Sequence, residues 1–255
     1  MSVVASGRIV IWQGASLWLF EIADDEADTA PHAHHAIQIT LALDGTFEFI
    51  AAQGAVRGPA VAIAPDARHI FHSRGAAALL FIEPESAAGR ALAERWFGEA
   101  SLVALDWAPL AAAADDLRCA LRSGAPDAAL VAIGERIIQR FWAGAPGQPP
   151  DPRVNAMVDF AGANLDQPIT IGAAADRVHL SRSRASHLFV EQTGLPFKTY
   201  VLWRRLGKAV ERYSSGESLT EAAHAAGFAD SAHLSRTFRR MFGLPAASLR
   251  ILRPQ

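Results

Sequence analysis

Hydrophobic positions follow two different periods along the chain. Residues 8–83 contain short runs of aliphatic, β-branched and aromatic side chains, such as SLWLFEI and AIQITLAL, separated by Gly, Pro and Asp. This pattern is typical of the strands of a β-barrel or sandwich. In residues 86–142 the chain is rich in alanine, and its apolar residues recur at helical spacing. Residues 153–255 continue the helical pattern, so the sequence predicts an α+β fold with a helical C-terminal part.

The segment Ala143–Pro152, AGAPGQPPDP, is predicted to be a linker between two domains. Its position predicts a first domain at residues 1–142 and a second at residues 153–255. Residues 153–255 hold 14 basic and 8 acidic side chains, a net charge of +6, whereas residues 1–152 carry a net charge of −8. A basic domain joined to an acidic one suggests that the basic domain binds a polyanion, and nucleic acid is the leading candidate.

Two copies of one pattern, roughly 49 residues apart, occupy the C-terminal domain. The first copy begins at Ile169 with ITIGAAADRVHLSRSRASHLFVEQTGLP, and the second begins at Leu219 with LTEAAHAAGFADSAHLSRTFRRMFGLP. Each copy predicts a short helix, a turn and a second helix, which ends at a glycine followed two residues later by proline. The expected N-caps are Thr170 and Thr220 for the first helices, and Ser181 and Asp230 for the second helices.

Two helix-turn-helix units joined by a long amphipathic helix, FKTYVLWRRLGKAVERYSSG, resemble the DNA-binding domain of the AraC family of bacterial transcription regulators. The resemblance covers about the last 95 residues and is most specific in AAHAAGFADSAHLSRTFRRMFGLPAASLR. It implies that the protein binds double-stranded promoter DNA and acts together with RNA polymerase. The family positions present in register are the GF pair, Arg236, Phe238, the basic pair, Phe242, Gly243 and Pro245.

Three positions depart from the family pattern. Leu234 stands where the family usually has Phe. Gly172 and Gly207 stand inside predicted helices, where each costs about 1 kcal/mol relative to alanine. These departures concern the stability of the domain more than its function.

A recognition helix exposes one polar stripe to the major groove while its opposite face packs on the domain. In the second unit, Arg236 can chelate guanine O6 and N7, although a bridge between helices stays open as an alternative role. In the first unit, Arg182 and Arg184 are expected to contact phosphates. The candidate DNA-binding residues are Arg182, Ser183, Arg184, Ser186 and His187 in the first unit, and Ser231, Ala232, Ser235, Arg236 and Arg239 in the second.

The N-terminal domain resembles the cupin-like β-barrel that AraC-family regulators commonly carry as a small-molecule sensor. PHAHHAIQITLALDG resembles the first cupin motif, with Gln38 in place of the usual Glu, and APDARHIFH resembles a degenerate second motif. The implied effector or metal site consists of His32, His34, Gln38 and His69. Three imidazoles and one amide suit zinc, iron, copper or nickel. Strand alternation from His32 to Thr40 leaves two alternatives, an inward-facing site or histidines exposed to solvent.

Three classes of function are compatible with such an N-terminal domain. A sensor would make the protein a sequence-specific transcription regulator controlled by a small-molecule or metal effector. A metal-dependent cupin enzyme, similar to a dioxygenase, would need a carboxylate where this sequence has Gln38, and no GxSxG, Walker or GxGxxG motif in a suitable context offers another catalytic centre. A barrel that only dimerises is the third possibility. The sequence favours the regulator and predicts no enzymatic activity.

Helices within residues 86–142 are expected to pair two subunits into a homodimer, since Leu130, Ile133, Ile137 and Phe141 share one stripe. The alternative is that this stripe covers the open side of the barrel within one subunit. A single cysteine, no signal peptide and no membrane-spanning run predict a cytoplasmic protein without a membrane partner. The predicted fold is therefore α+β: an N-terminal cupin-like β-barrel with a helical dimerisation segment, followed by an all-α domain with two helix-turn-helix motifs.

Overall fold

The chain folds into two compact units. The computed structural model describes residues 4–22, 27–142, 149 and 151–252. One unit comprises residues 1–147 and 238–255, and the other comprises residues 148–237. The predicted α+β fold is confirmed, because a β-sheet forms the basis of the first unit and helices form the second. Most of the predicted linker, residues 143–152, lies outside the described residues, and the domain boundaries remain predictions.

A single sheet forms the centre of the first unit. Its strands among the described residues are β1 Ala5–Trp12, β2 Ala15–Ile22, β3 Ala27–Asp28, β4 Ile37–Ala51, β5 Gly54–Arg57, β6 Ala60–Ile63, β7 His69–Ile82, β8 Leu102–Ala104 and β9 Leu249–Ile251. The strand order is β8-β6-β4-β7-β2-β1-β9, with β3 paired to β7 and β5 paired to β4. Strand β9 pairs in parallel with β1, so the C-terminal end of the chain extends the N-terminal sheet.

The two longest strands, β4 and β7, run side by side along their whole length. Their register shifts between Ala42 and Asp44, where the pairing is irregular. Next to this shift, Gly45 lies opposite Gly75, and their φ angles are 103° and 76°. A β-carbon on Gly45 would overlap the carbonyl oxygen of Arg74, so the two strands approach this closely only because glycine occupies the position.

Both faces of the sheet are buried at the start of β4. Helices α1 Ala87–Trp96, α2 Ala111–Ser123 and α3 Asp127–Trp142 pack against one face. On β4 this face carries Ile37 and Ile39, which are fully buried. The opposite face carries Gln38 and Thr40, which are also buried, at 2% and 0% exposure. The polar face of β4 therefore points into the interior of the unit, and its exposure to solvent is excluded.

The apolar stripe of α3 is used within the chain. Leu130, Ile133 and Ile137 belong to the same buried core as the sheet, and Phe141 packs edge-on against Trp96 with ring centroids 4.9 Å apart. The alternative in which the stripe covers the sheet of its own subunit therefore matches the structure. The homodimer stays a prediction, and it needs an interface other than this stripe.

Helices of the second unit begin close to their predicted caps. They are α4 Pro152–Ala163, α5 Ile171–Arg177, α6 Arg182–Thr193, α7 Phe197–Ser214, α8 Leu219–Ala225 and α9 Ser231–Phe242, whose last residues from Phe238 are grouped with the first unit. Thr170 and Ser181 are confirmed as N-caps of α5 and α6. The predicted cap Thr220 is wrong, because Ser218 caps α8 in a capping box with Glu221.

The turn between α8 and α9 depends on the glycine of the GF pair. Gly227 has a φ of +78°, and a β-carbon there would overlap the carbonyl oxygen of Leu165. Arg205 donates a hydrogen bond of 2.8 Å to the same oxygen. Only glycine therefore allows this turn to pack against the end of α4.

Among the described helices, none combines the length and apolar character needed to cross a membrane.

Candidate DNA interface and effector site

Helix α6 presents a polar stripe opposite a buried one. Ser181 caps its first turn by accepting from the N–H of Arg184, and Gly194 ends it with a φ of +77°. Ala185 and Phe189 are fully buried in the core of the second unit. The predicted DNA-binding residues lie on the remaining surface: Arg182, Ser183, Arg184 and His187 are exposed, and Ser186 is half-buried.

Arg182 has a contact that the sequence did not predict. A β-carbon on Gly172 would lie 2.7 Å from the Nε atom of Arg182, so this guanidinium passes over α5 at the glycine. Gly172 was expected only to weaken its helix, but it also makes room for a side chain of the next helix. Arg182 is exposed and is available to phosphates while its Nε lies against α5.

Helix α9 carries the second predicted stripe. Ala232, Arg236 and Arg239 are exposed, whereas Ser231 and Ser235 are half-buried. In the part of the chain that the structure describes, Arg236 makes no hydrogen bond and no ion pair, so the alternative role as a bridge between helices finds no partner.

Leu234, which departs from the family pattern, is 2% exposed on the inner face of α9 and fills a core position.

Arg240 was not among the DNA-binding residues predicted from the sequence. It is exposed and stands four residues after Arg236, a spacing that places both side chains on one face of the helix.

Three of the four predicted effector residues form a buried histidine cluster in the first unit. His32, His34 and His69 are 5%, 1% and 2% exposed, and one ring nitrogen of each lies within 4.8 Å of the others. The rings of His32 and His69 have centroids 4.2 Å apart. Strand β4 begins only at Ile37, so the expectation that His32 and His34 belong to it is wrong. Instead, the backbone of His32 forms an isolated bridge to His69 at the start of β7.

Hydrogen bonds define the tautomers of the cluster. Nδ1–H of His32 donates to the carbonyl of Ala30, and Nδ1–H of His69 donates to the carbonyl of Ala67, both at 2.9 Å. Nε2–H of His34 donates to Oε1 of Gln38 at 2.7 Å. These roles follow from the partners, because a backbone or amide oxygen can only accept. Nδ1 of His34 and Nε2 of His69 are buried and lack a hydrogen-bond partner among the described residues.

Gln38 orients His34. Its amide oxygen is occupied by His34, and its Nε2 donates to the Oγ1 of Thr40 at 2.8 Å. The structure therefore brings Gln38 to the cluster as a hydrogen-bond partner of one imidazole, which is the arrangement that holds a metal-binding histidine in one tautomer.

Burial disfavours the charged form of all three imidazoles. Burial lowers the pKa of His32 to about 4, and the neighbouring His69 adds to this effect. Burial also lowers the pKa of His34, well below its ordinary value, and the pKa of His69. Neutral imidazoles offer lone pairs, which is the form that metal ions bind.

His35, the third histidine of the same pentapeptide, has a different environment. It is buried, which opposes its charge, but hydrogen bonds to Asp66 at 2.8 Å and Glu85 at 2.5 Å raise the pKa of His35 to about 9. Both of its ring nitrogens are occupied by carboxylates. His35 therefore ties the start of β4 to the loop before α1 and is not a free ligand.

An apolar cavity adjoins the cluster. Its volume is about 70 Å³, and His32, Gln38 and His69 form part of its wall. Aromatic side chains supply much of the remainder. The apolar lining includes Trp18, Phe20, Phe71, Leu79 and Phe81 from the sheet, and Phe238, Phe242, Leu244 and Leu249 from the C-terminal end of the chain.

The part of the wall formed by residues 238–252, which we call the C-terminal segment, was missed by the sequence analysis. Phe238 and Phe242 stand four residues apart on α9, and their rings lie 6.2 Å and 4.7 Å from that of Trp18 on β2. The ring of Phe242 also lies 6.2 Å from that of His34. A helical spacing identifies such residues as buried, but it does not identify what buries them.

Known proteins match the C-terminal part of this chain. A family model described as a helix-turn-helix domain matches residues 174–250. The HTH-type transcriptional activator RhaS of Pectobacterium carotovorum subsp. carotovorum (strain PC1) is 34% identical over 98 residues, which cover 38% of this chain and 35% of RhaS. The uncharacterized HTH-type transcriptional regulator YpdC of Escherichia coli (strain K12) is 36% identical over 93 residues, covering 35% of this chain and 32% of YpdC. The chain thus spans about a third of the length of these relatives.

A solved structure resembles nearly the whole chain. The crystal structure of ToxT from Vibrio cholerae O395 matches with a TM-score of 0.60, covering 92% of this chain and 96% of ToxT at 10% sequence identity. At this identity the likeness concerns the fold alone.

Proposed function

We propose, from the helix-turn-helix family model that matches residues 174–250, that the protein is a sequence-specific regulator of transcription of the AraC type, controlled by an effector bound in its N-terminal unit. The observation that carries this proposal is the pair of recognition helices, α6 and α9, each with an exposed polar stripe opposite a buried one. The named relatives RhaS and YpdC are a transcriptional activator and a transcriptional regulator. Promoter DNA is the proposed partner, with RNA polymerase and a second copy of the chain as further partners.

Charge and helix geometry support DNA as the ligand. The C-terminal residues 153–255 carry a net charge of +6, which favours phosphate contacts that release counterions. Arg236 and Arg239 stand on the exposed side of α9, where a guanidinium can read guanine in the major groove. Two such helices in one chain can read two successive major grooves.

The buried cavity supports an effector site in the N-terminal unit. Residues of the sheet and of the C-terminal segment line it. One ToxT structure is of the protein bound to an unsaturated fatty acid, and another is of the protein bound to (E)-4-(8-methylnaphthalen-1-yl)but-3-enoic acid. For the present chain, an effector would act by binding two arrangements of the C-terminal segment with different affinity.

The histidine cluster differs from the metal site of non-haem iron oxygenases, which bind their metal through two histidines and one carboxylate. Here the group that could hold a metal, among the described residues, consists of three histidines. We therefore propose a binding function for the cluster.

DNA selection followed by affinity measurement tests the proposal. The full chain is expected to enrich a defined sequence from random duplexes, with an affinity that falls steeply as salt rises. Arg236→Ala should weaken binding to that sequence by about 1–3 kcal/mol and relax the preference at one base pair. Arg140→Ala, which removes an exposed arginine of α3, is the matched control and should leave binding unchanged.

Two results would contradict this assignment. Failure to enrich any sequence would refute sequence-specific regulation. Equal weakening by Arg236→Ala on selected and random DNA would show that this guanidinium contacts phosphate and reads no base.

A further inference from the structure

Two of the three buried imidazoles carry a ring nitrogen for which no described group is a hydrogen-bond partner. His32 and His69 each donate Nδ1–H to a backbone carbonyl, which leaves Nε2 of both rings without a proton. His34 donates Nε2–H to Gln38, which leaves its Nδ1 without a proton. Nε2 of His69 and Nδ1 of His34 are buried with no hydrogen-bond partner among the described residues, and burying such an atom is unfavourable unless something binds it.

We propose that His32, His34 and His69 bind a divalent transition-metal ion of the zinc class, and that the bound ion stabilises the docking of the C-terminal segment on the sheet. The hydrogen bonds from the far nitrogens to carbonyl and amide oxygens are the second contacts that metal-bound histidines usually make. The regulatory part of this proposal rests on the proposed DNA-binding function.

Distances between the rings are compatible with an ion after a small adjustment. One ring nitrogen of each imidazole lies within 4.8 Å of a ring nitrogen of the other two. A tetrahedral ion with bonds of about 2.0–2.1 Å brings its ligand atoms to roughly 3.3 Å apart. Side-chain rotations that move each nitrogen by about 1 Å suffice. The isolated backbone bridge between His32 and His69 holds two of the ligands side by side.

The size of the cavity favours an ion over an organic effector while the C-terminal segment is docked. The cavity holds about 70 Å³, whereas pockets for drug-sized molecules measure roughly 300–1,000 Å³. An ion fits between the imidazoles, and the adjoining space accommodates a water molecule as a fourth ligand, since a water needs only about 10–15 Å³ on this measure.

Ala30 couples the cluster to the C-terminal segment. Its carbonyl accepts from Nδ1–H of His32, and its N–H donates to the carbonyl of Gly243 at 2.9 Å. Gly243, with a φ of +74°, packs so closely that a β-carbon would lie 2.6 Å from Nδ1 of His32 and 2.5 Å from the oxygen of Ala30. An ion that fixes the ring of His32 therefore also fixes the surface against which Gly243 docks.

Docking of the C-terminal segment involves α9, a candidate recognition helix. Phe238 and Phe242 belong to the last turns of α9, and Gly243 follows its end. Metal binding, by favouring the docked segment, would bias the position of α9 and thereby the affinity for DNA. Linkage requires that DNA then changes the affinity for the metal by the same factor.

Cobalt(II) titration of the untagged full chain tests the site. One equivalent of Co²⁺ should produce the visible absorption of a tetrahedral complex, and Zn²⁺ should displace it. His69→Leu should weaken metal binding by at least about 100-fold, since even contacts beyond the ligands contribute 10–100-fold. His72→Gln, which changes a more exposed histidine on the same strand, is the matched control and should bind the metal as the unmodified chain does.

Hydrogen exchange tests the coupling. With Zn²⁺ bound, backbone amides of residues 238–252 should exchange about tenfold more slowly, and His69→Leu should abolish this effect. His34→Leu serves as a second variant, and near-ultraviolet circular dichroism without metal identifies a variant that has lost its fold.

The outcomes separate this proposal from the proposed function. The metal site is refuted if the chain binds less than about a tenth of an equivalent of metal, or if His72→Gln loses as much metal binding as His69→Leu. Sequence-specific DNA binding by the metal-free protein would in that case still support the proposed regulatory function. Metal binding without slower exchange at residues 238–252 overturns the coupling. Metal binding by a chain that selects no DNA sequence supports the site and refutes the regulator.

Discussion

Replacing Gly227 by alanine isolates the steric requirement of the turn between α8 and α9. The φ of +78° alone costs an alanine about 1 kcal/mol relative to glycine. The added β-carbon would also overlap the carbonyl oxygen of Leu165, a backbone atom that also accepts from Arg205. Forcing such an overlap into a packed region costs a further 1–3 kcal/mol or so. Gly227→Ala should therefore lower the free energy of unfolding by about 2–4 kcal/mol.

Two other glycines provide matched controls in the same unit. Gly194 has nearly the same φ, +77°, but a β-carbon there meets nothing within 4 Å, so Gly194→Ala should cost only about 1 kcal/mol. Gly207 lies within α7 in open space, so Gly207→Ala should stabilise the chain by up to about 1 kcal/mol.

Urea unfolding of the full chain, followed by circular dichroism of the helices, measures these changes. The expected order of stability is Gly207→Ala, then the unmodified chain, then Gly194→Ala, then Gly227→Ala. If Gly227→Ala lowers the free energy of unfolding no more than Gly194→Ala does, the carbonyl of Leu165 can move away without a measurable cost. The explanation of the GF pair by close packing would then be wrong.

Two further predictions concern the first unit. Glu85→Gln should lower the pKa of His35 from about 9 towards its ordinary value, which NMR titration would measure. Because folding raises this pKa, the ion pairs stabilise the chain fully below about pH 6.5, and this stability is lost as the pH rises through 9. The loss should be smaller in the variant. An unchanged pKa would contradict the pairing. Ile137→Asp should unfold the unit, because Ile137 is buried within one chain; a folded monomer in sedimentation would instead indicate a subunit interface.

Local features of the second unit could be predicted from the sequence. Caps such as Thr170 and Ser181, and the left-handed ends at Gly194 and Gly243, depend on a few neighbouring residues, so their signals lie within one turn of chain. The cap of α8 was misplaced by two residues for a similar local reason, since Ser218 and Thr220 both accept hydrogen bonds well and only the capping box with Glu221 distinguishes them.

The histidine cluster was predicted in composition but not in geometry. The spacing of His32 and His34 indicated a shared site, yet strand alternation left open whether it faced inward. The backbone of His32 pairs with that of His69, 37 residues later, and this pairing turns the site inward. The sequence of either segment alone does not specify such a pairing. The same pairing separated His35 from the cluster and placed it between two carboxylates.

The sequence by itself determined the class of the fold, the two helices proposed to recognise DNA and the net charge of the C-terminal domain, since periodicity, caps and net charge are properties of short stretches and of composition. Only the tertiary structure decided what the apolar residues meet. The stripe of α3 covers its own sheet, and Phe238 and Phe242 close the cavity beside the histidines. The hydrophobic effect is non-directional, so a sequence specifies that such side chains are buried while the assembled chain specifies their partners.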